Sequence, residues 1–301
     1  MGRGRSQNTL DLLKASRTIL QEIQPASVRA VCYRLFTLDL IDSMKKSNTN
    51  KVSRLLTQAR EEGVIPWAWI VDETREIECP PQWTDPAAYM ATVKRSYRKD
   101  HWSLQSRHVE VWSEKGTIRG TVQPVLDEFG VPFRVMHGYG SATALNDIAQ
   151  SAARSTKPWV VLYIGDFDPS GLHMSEVDLP RRLTAYGSAQ ITIIRVALTT
   201  NDVTRRRLPS FTLTSKAHDP RAVWYFRQTA DFAQGRTLRC WEVDALSPVI
   251  LRERLRAAIT AQLDPVQWRR SIVAEAAEQE SLAICFSGWN GILGQASEYG
   301  E

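Results

Sequence analysis

The sequence predicts an α/β protein: a helical, basic N-terminal segment, then a parallel-sheet domain with helical C-terminal additions. Three observations predict it. Strand-like and helix-like runs alternate between residues 108 and 215, two of those strands run straight into carboxylates, and Lys and Arg gather in the first 60 residues. At 301 residues the chain is too long for one small core, and its 43% hydrophobic content is ordinary for a globular protein.

Residues 8–23 carry apolar side chains at 10, 12, 13, 19, 20 and 23, one face of a helix. Pro25 stops that helix, and Ser27 can cap a second over 28–43. A third helix is expected from about Thr49 to Glu62, with Gly63 closing it. The run IPWAWIVD (65–72) reads as a strand with an aromatic-rich face, followed by a turn at Asp72-Glu73 and a short return over 75–78. Three helices and a hairpin is the order of a winged helix, in which the third helix enters the major groove and the hairpin meets the backbone. This assigns 1–78 to a winged-helix, CAP-like domain, with Lys45, Lys46, Lys51, Arg54 and Arg60 facing double-stranded DNA.

Residues 79–107 read as a linker plus one helix, anchored by Tyr89, Tyr97 and Trp102. Strands follow at 109–112, 132–137, 159–165 and 190–198, with helices at 117–129, 141–153 and 171–186 between them. Their near-continuous apolar runs and their alternation with helices predict a parallel sheet covered on both faces, over 108–215. Residues 216–301 read as mainly helical, notably 247–263 and 265–283, packing on the sheet domain and ending in a loose tail, SGWNGILGQASEYGE. Most tryptophans, including Trp67, Trp69, Trp112, Trp224 and Trp241, sit in apolar runs that read as core.

Residues 1–60 hold eleven Lys and Arg against four acids, a net +7; the other 27 basic and 29 acidic residues give −2. A basic segment on a near-neutral body implies an anionic partner, and nucleic acid is the usual one. No apolar run approaches the roughly 20 residues that span a bilayer, and the polar, basic start (MGRGRSQNTL) is not a secretory signal. Cys32, Cys79, Cys240 and Cys285 stand far apart with no CxxC pair, which argues against a zinc ribbon or a disulfide framework. The expected setting is the cytoplasm, in association with the nucleoid.

The strand 109–112 runs into Glu114-Lys115, and the strand 159–165 into Asp166-Phe167-Asp168-Pro169-Ser170-Gly171. Ligands of open parallel sheets bind where the carboxyl ends of the strands emerge. Glu114, Asp166 and Asp168 can therefore converge if their strands are neighbours. Three carboxylates suit Mg²⁺, which takes oxygen ligands and commonly bridges carboxylates and a phosphate. Lys115 is a further candidate contact to DNA. His137 and Ser141 precede a helix, where Ser141 is expected to cap, and Arg205-Arg206-Arg207 can add to a DNA channel.

These residues resemble the TOPRIM domain shared by type II topoisomerases, primases and related nucleases, and within it the A subunit of topoisomerase VI and its eukaryotic relative that starts meiotic recombination. The family's strand-end Glu-Lys matches Glu114-Lys115, and its DxDPxG matches 166–171. The stretch WEVDALSPVILRERLRAAI (241–259) resembles the segment that closes that domain. The family's winged helix carries its catalytic tyrosine in a string reading roughly Ser/Thr-x-Arg-x-x-Tyr-Tyr. Here Ser27-Val28-Arg29-Ala30-Val31-Cys32-Tyr33 fits, with Cys32 where an aromatic residue is common.

The resemblance implies a Mg²⁺-dependent DNA-cleaving enzyme in which Tyr33 forms a tyrosyl-DNA link and Glu114, Asp166 and Asp168 hold the ion. Arg29, one helical turn from Tyr33, would bind the scissile phosphate or lower the tyrosine's pKa. It also implies a homodimer in which the tyrosine of one subunit meets the metal of the other. No GxxxxGK[ST] string is present, so ATP-driven strand passage would need a separate ATPase subunit. Two alternatives remain: a hydrolytic TOPRIM nuclease with a defence or mobile-element role, and a non-enzymatic winged-helix regulator.

Overall fold

The computed structural model describes residues 6–70, 80–136, 141–205, 208–212, 220–229 and 239–298. The described residues form two compact units, one within Met1–Arg75 and His108–Gln262, the other within Glu76–Arg107 and Leu263–Glu301.

The first unit begins with helices α1 (Gln7–Ile23), α2 (Val28–Thr37) and α3 (Lys46–Glu61). Leu20, Ile23, Val31, Leu35, Val52 and Leu56 are buried between them, together with Ile65 and Ile70. Ser27 caps α2 as expected, accepting from the Ala30 amide. The helix nevertheless ends at Thr37 rather than 43. Asp39 adopts a left-handed φ of 54°, the Leu40 amide bonds back to Leu35 and the Asp39 amide to Phe36. That pair of bonds is a Schellman stop, with Asp in the place usually taken by Gly. Gly63 plays the same part after α3 at φ 73°. α3 starts before the expected Thr49, and there the Asn48 side-chain amide bonds back to the Ser43 carbonyl.

Over its described part, 65–70, the strand expected at 65–72 is replaced by a single 3₁₀ turn, Trp67–Trp69, followed by one parallel bridge between Ile70 and Ala26. Pro66 explains the difference: it has no N–H for a ladder, and as the N-cap it offers its carbonyl to the Trp69 amide, which closes the turn. Trp67, expected in the core, is 59% exposed under the Arg60 guanidinium. The return over 75–78 lies outside the described residues.

The sheet contains β1 (His108–Ser113), β2 (Phe133–Val135), β3 (Trp159–Ile164) and β4 (Ile191–Ala197) in the order β2-β1-β3-β4, all parallel. On one face Trp112, Val161 and Tyr163 pack against Leu145, Ile148, Leu179 and Leu183 of the helices Ala142–Arg154 and Leu179–Ala185. The helices Arg119–Phe129 and Pro248–Thr260 pack on each other, and the second also contacts β3 and β4. Arg252 ties α1 to this body by donating to the carbonyls of Ile23, Gln24 and Pro25.

The helix expected over 171–186 runs without interruption from Pro169 to Ala185, but it widens to a π turn at Met174–Asp178. Pro180 lacks an N–H and crowds the carbonyl four residues back, and a widened turn absorbs the conflict.

β1 also buries a charge. Glu110, 4% exposed, accepts from Trp112 Nε1 at 2.7 Å and from Arg134 at 3.1 and 3.3 Å, and faces His108 Nε2 at 3.1 Å. Burial alone would raise its pKa, but the bonds from His108, Arg134 and Trp112 win and hold it at about 2, against an ordinary 4.5. A depressed carboxylate stabilises the fold fully above the unfolded pKa and loses that contribution as pH falls toward the folded one. Denaturant titrations at pH 6 and pH 3 are therefore expected to show wild type losing on the order of 2 kcal/mol more than Glu110→Gln. Equal losses would remove Glu110 from the pH response.

The second unit holds the helix Pro86–Ser96, a 3₁₀ turn His101–Leu104 and the long helix Pro265–Glu298. Tyr97 and Lys99 both donate to Glu278, and His101 Nδ1 lies 2.8 Å from Ser271 Oγ. The expected loose tail is helical as far as Glu298. Once a helix is nucleated, each further residue costs little, so its glycines weaken the helix without stopping it. Of residues 216–301, those to Gln262 belong with the sheet and those from Leu263 with this unit. Among the described residues no helix is long and apolar enough to cross a membrane.

Candidate functional site at the carboxyl edge of the sheet

β1 and β3 are neighbours, and Ser113 pairs opposite Ile164. The next residues, Glu114 and Gly165, thus leave the sheet side by side. The loop after β3 is fixed by a partner strand. Phe167 and Trp241 exchange amide–carbonyl bonds at 2.8 and 3.0 Å, which lays 241–245 along the acidic loop. Asp166 Oδ1 then accepts from the Val243 amide at 2.9 Å, and its Oδ2 lies 2.6 Å from Lys115 Nζ. Asp168 caps the helix that follows, accepting from the Gly171 amide at 2.7 Å. Gly171 is required by close approach: a Cβ there would meet the Asp166 carbonyl oxygen at 2.6 Å and Glu114 Oε2 at 3.2 Å.

Arg195, half-buried on β4, holds the loop from below. Its guanidinium donates to the carbonyls of Gly165, Asp166, Gly171 and Leu198 and to Ser175 Oγ. It thereby clamps both ends of the DFDPSG turn.

The three acids share one electrostatic neighbourhood. Burial pushes the Glu114 carboxyl up, and Asp166 and Asp168 push it further. Glu114 Oε2 is buried without a hydrogen-bond partner. Asp166 is raised by burial, with Lys115 opposing. The side chains are not, however, drawn together around one point. Among the described residues no group of three His, Cys, Asp or Glu is placed to hold a metal ion. Lys115 engages one oxygen of Asp166, and the Gly171 amide engages one of Asp168. The donor chemistry still fits a hard cation: Glu114 keeps an orphaned carboxylate oxygen within the electrostatic influence of Asp166 and Asp168, and Asp166 is paired with Lys115.

Tyr33 and Arg29 reach the same neighbourhood. Tyr33, 5% exposed, lines a cleft of ≈ 400 Å³ with Arg29, Lys45, Phe211 and Glu242. Arg29 sits 5.6 Å from the Tyr33 ring centroid, donates to Glu242 Oε2 and lies 3.4 Å from Asp244 Oδ2. Burial, then Glu242, push the Tyr33 phenol up, and Arg29 only partly opposes them. The expectation that Arg29 lowers this pKa is thus met in sign and outweighed in sum. Asp244 is pushed up to about 6 by burial, against Lys115 and Arg29.

Of the residues expected to meet DNA, Lys45, Lys46, Lys51 and Arg54 are exposed. Lys51 and Arg54 line a polar groove of ≈ 410 Å³ with Thr9, Ser47, Asn50 and Gln58. Arg60 turns away, its Nε on the Leu56 carbonyl and its guanidinium over Trp67. Ser141 caps its helix through the Ala144 amide. Arg205 is exposed, while His137, Arg206 and Arg207 lie outside the described residues.

Sequence reasoning missed Glu242, Asp244 and Arg195. The first two had a signal, being the acids of the WEVDAL string. Arg195 had a fainter one, a lone charge inside the apolar run IIRVAL.

The fold and site together define an α/β protein with a four-stranded parallel sheet, an acidic carboxyl edge and a three-helix basic segment in the same unit. No protein-family model matches the chain, and no curated protein matches it.

Proposed function

We propose that the chain binds double-stranded DNA through α3 and breaks its backbone at the acidic edge, as a topoisomerase VI A-like, TOPRIM-type enzyme. The observation that carries this reading is the adjacency of β1 and β3, which sets Glu114 beside the Asp166–Asp168 loop within reach of Tyr33's partners. Glu114 and Asp166 are the residues that would hold Mg²⁺, with Asp168 completing the set. The ion, when bound, would neutralise phosphate charge and stabilise the leaving oxygen.

The chain's own residues supply the rest. Arg29 binds a non-bridging phosphate oxygen. The Tyr33 oxygen forms a bond to phosphorus as the P–O3′ bond breaks, the phenol gives up its proton and the 3′-oxygen takes one up. The result is a phosphotyrosyl link and a free 3′-hydroxyl, which keeps the break resealable. A twofold dimer would place two such sites for a double-strand break, and a separate ATPase subunit would be needed for strand passage.

A second reading, hydrolytic cleavage by water, is favoured by one observation: Tyr33 is buried and its phenol pushed up, which disfavours the phenolate. Supercoiled plasmid incubated with protein and Mg²⁺, then stopped with detergent, separates the two. The tyrosyl reading expects nicked DNA that stays with protein until protease is added, and no such adduct with Tyr33→Phe. Cleavage by Tyr33→Phe at the wild-type rate would transfer the reaction to water.

A further inference from the structure

Glu242 Oε2 accepts from the Arg29 guanidinium and lies 3.6 Å from Lys115 Nζ. The two cations come from different elements, α2 and the turn after β1, and their side chains are 45% and 32% exposed. One anionic oxygen shared by a guanidinium and an ammonium is the arrangement that a phosphate oxygen takes between Arg and Lys. The Glu242 side chain also walls the cleft that holds Tyr33 and Lys45. Its backbone is anchored independently, since Trp241 is bridged to Phe167 and the Val243 amide holds Asp166. The carboxylate can therefore leave by rotation of one side chain while the acidic loop stays in place.

We propose that Glu242 is an internal stand-in for a phosphodiester. Without nucleic acid it occupies the anion seat between Arg29 and Lys115, and duplex DNA must displace it to reach Tyr33. The gate keeps Arg29 and Lys115 engaged until a polyanion competes, while the exposed Lys46, Lys51 and Arg54 make first contact. This inference rests on the DNA-binding reading above.

The test is duplex binding by the full chain, measured by fluorescence anisotropy over a salt series in EDTA to prevent cleavage. Wild type is compared with Glu242→Gln, Glu242→Asp and Asp42→Asn, the last an exposed acid on the same basic segment. Each cation freed for a phosphate steepens the slope of log K against log salt by about 0.9. Glu242→Gln and Glu242→Asp are both expected to steepen it by about 1, through the release of Arg29, and to bind about tenfold tighter at low salt. Asp42→Asn should leave the slope unchanged. Glu242→Asp decides between occupancy and charge, because it keeps the charge and shortens the reach. It also keeps an acidic partner for Arg29, so the test stands even where the Gln variant unfolds.

If Glu242→Asp matches wild type, or if all variants match Asp42→Asn, the gate is overturned while DNA binding stands. Binding by the Glu242 variants alone, with none by wild type, would support a gate that stays shut. Absence of duplex binding in every protein would sink the DNA reading and the gate with it.

Discussion

Asp166→Asn is expected to reduce Mg²⁺-dependent plasmid cleavage by about a thousandfold, equivalent to about 4 kcal/mol of transition-state stabilisation. The substitution is nearly isosteric, and Asn can still accept from the Val243 amide, so the bridge between the acidic loop and 241–245 persists. What disappears is the charge that Lys115 now balances and that a bound cation would use. Duplex affinity should be no weaker than that of wild type, because the α3 cations are untouched and Lys115 is released from Asp166. Glu114→Gln should behave similarly, since its buried, partnerless Oε2 is the oxygen most in need of a cation. A rate of Asp166→Asn within tenfold of wild type would mean that cleavage does not run through this edge.

Arg195→Leu is the change with the largest expected effect on stability. It removes one donor from each of four carbonyls and a hydroxyl that sit on both sides of the acidic turn. Leaving a buried polar group unpaired costs about 1–3 kcal/mol. Water can recover part of this at a half-buried position, so a total of roughly 3–5 kcal/mol is expected. For a unit of this size that corresponds to a melting temperature lower by about 10 °C, at about 2–4 °C per kcal/mol. Arg195→Lys should recover only part of it, because an ammonium on a single stem cannot span the acceptors that the planar fork reaches. A melting temperature for Arg195→Leu within about 2 °C of wild type would show that the turn holds itself.

Much of the sheet was legible in the sequence for a physical reason. β1, β3 and β4 belong to a parallel sheet covered by helices, and such strands are written as apolar runs bounded by turn residues. The acids at their ends were visible as the first charges after those runs. Which strands would be neighbours was not, because pairing between residues some 50 apart leaves no local mark. The actual order, β1 beside β3, is what gives Glu114 its relation to Asp166.

Helix ends were read less well where the stop lacked its usual residue. Gly63 announced the end of α3, whereas Asp39 closes α2 in a conformation that few non-glycine residues take. Pro180 was visible, yet its consequence is a π turn within a continuous helix rather than a clean break. Arg195, Glu242 and Asp244 act across long separations: Arg29 meets Glu242 from 213 residues away, and Val243 meets Asp166 from 77. No periodicity encodes such contacts, and they decide how the acidic edge is charged.

On the proposed reading, Glu114 and the Asp166–Asp168 loop would accept one divalent cation at the expense of the Lys115–Asp166 pair. Anomalous diffraction from crystals equilibrated with Mn²⁺ tests it most directly. The expected result is a single peak bounded by the Glu114 and Asp166 carboxylates at about 2.0–2.3 Å, with Lys115 Nζ withdrawn from Asp166. Saturating metal with no peak at this edge, and Lys115 still seated on Asp166, would contradict it.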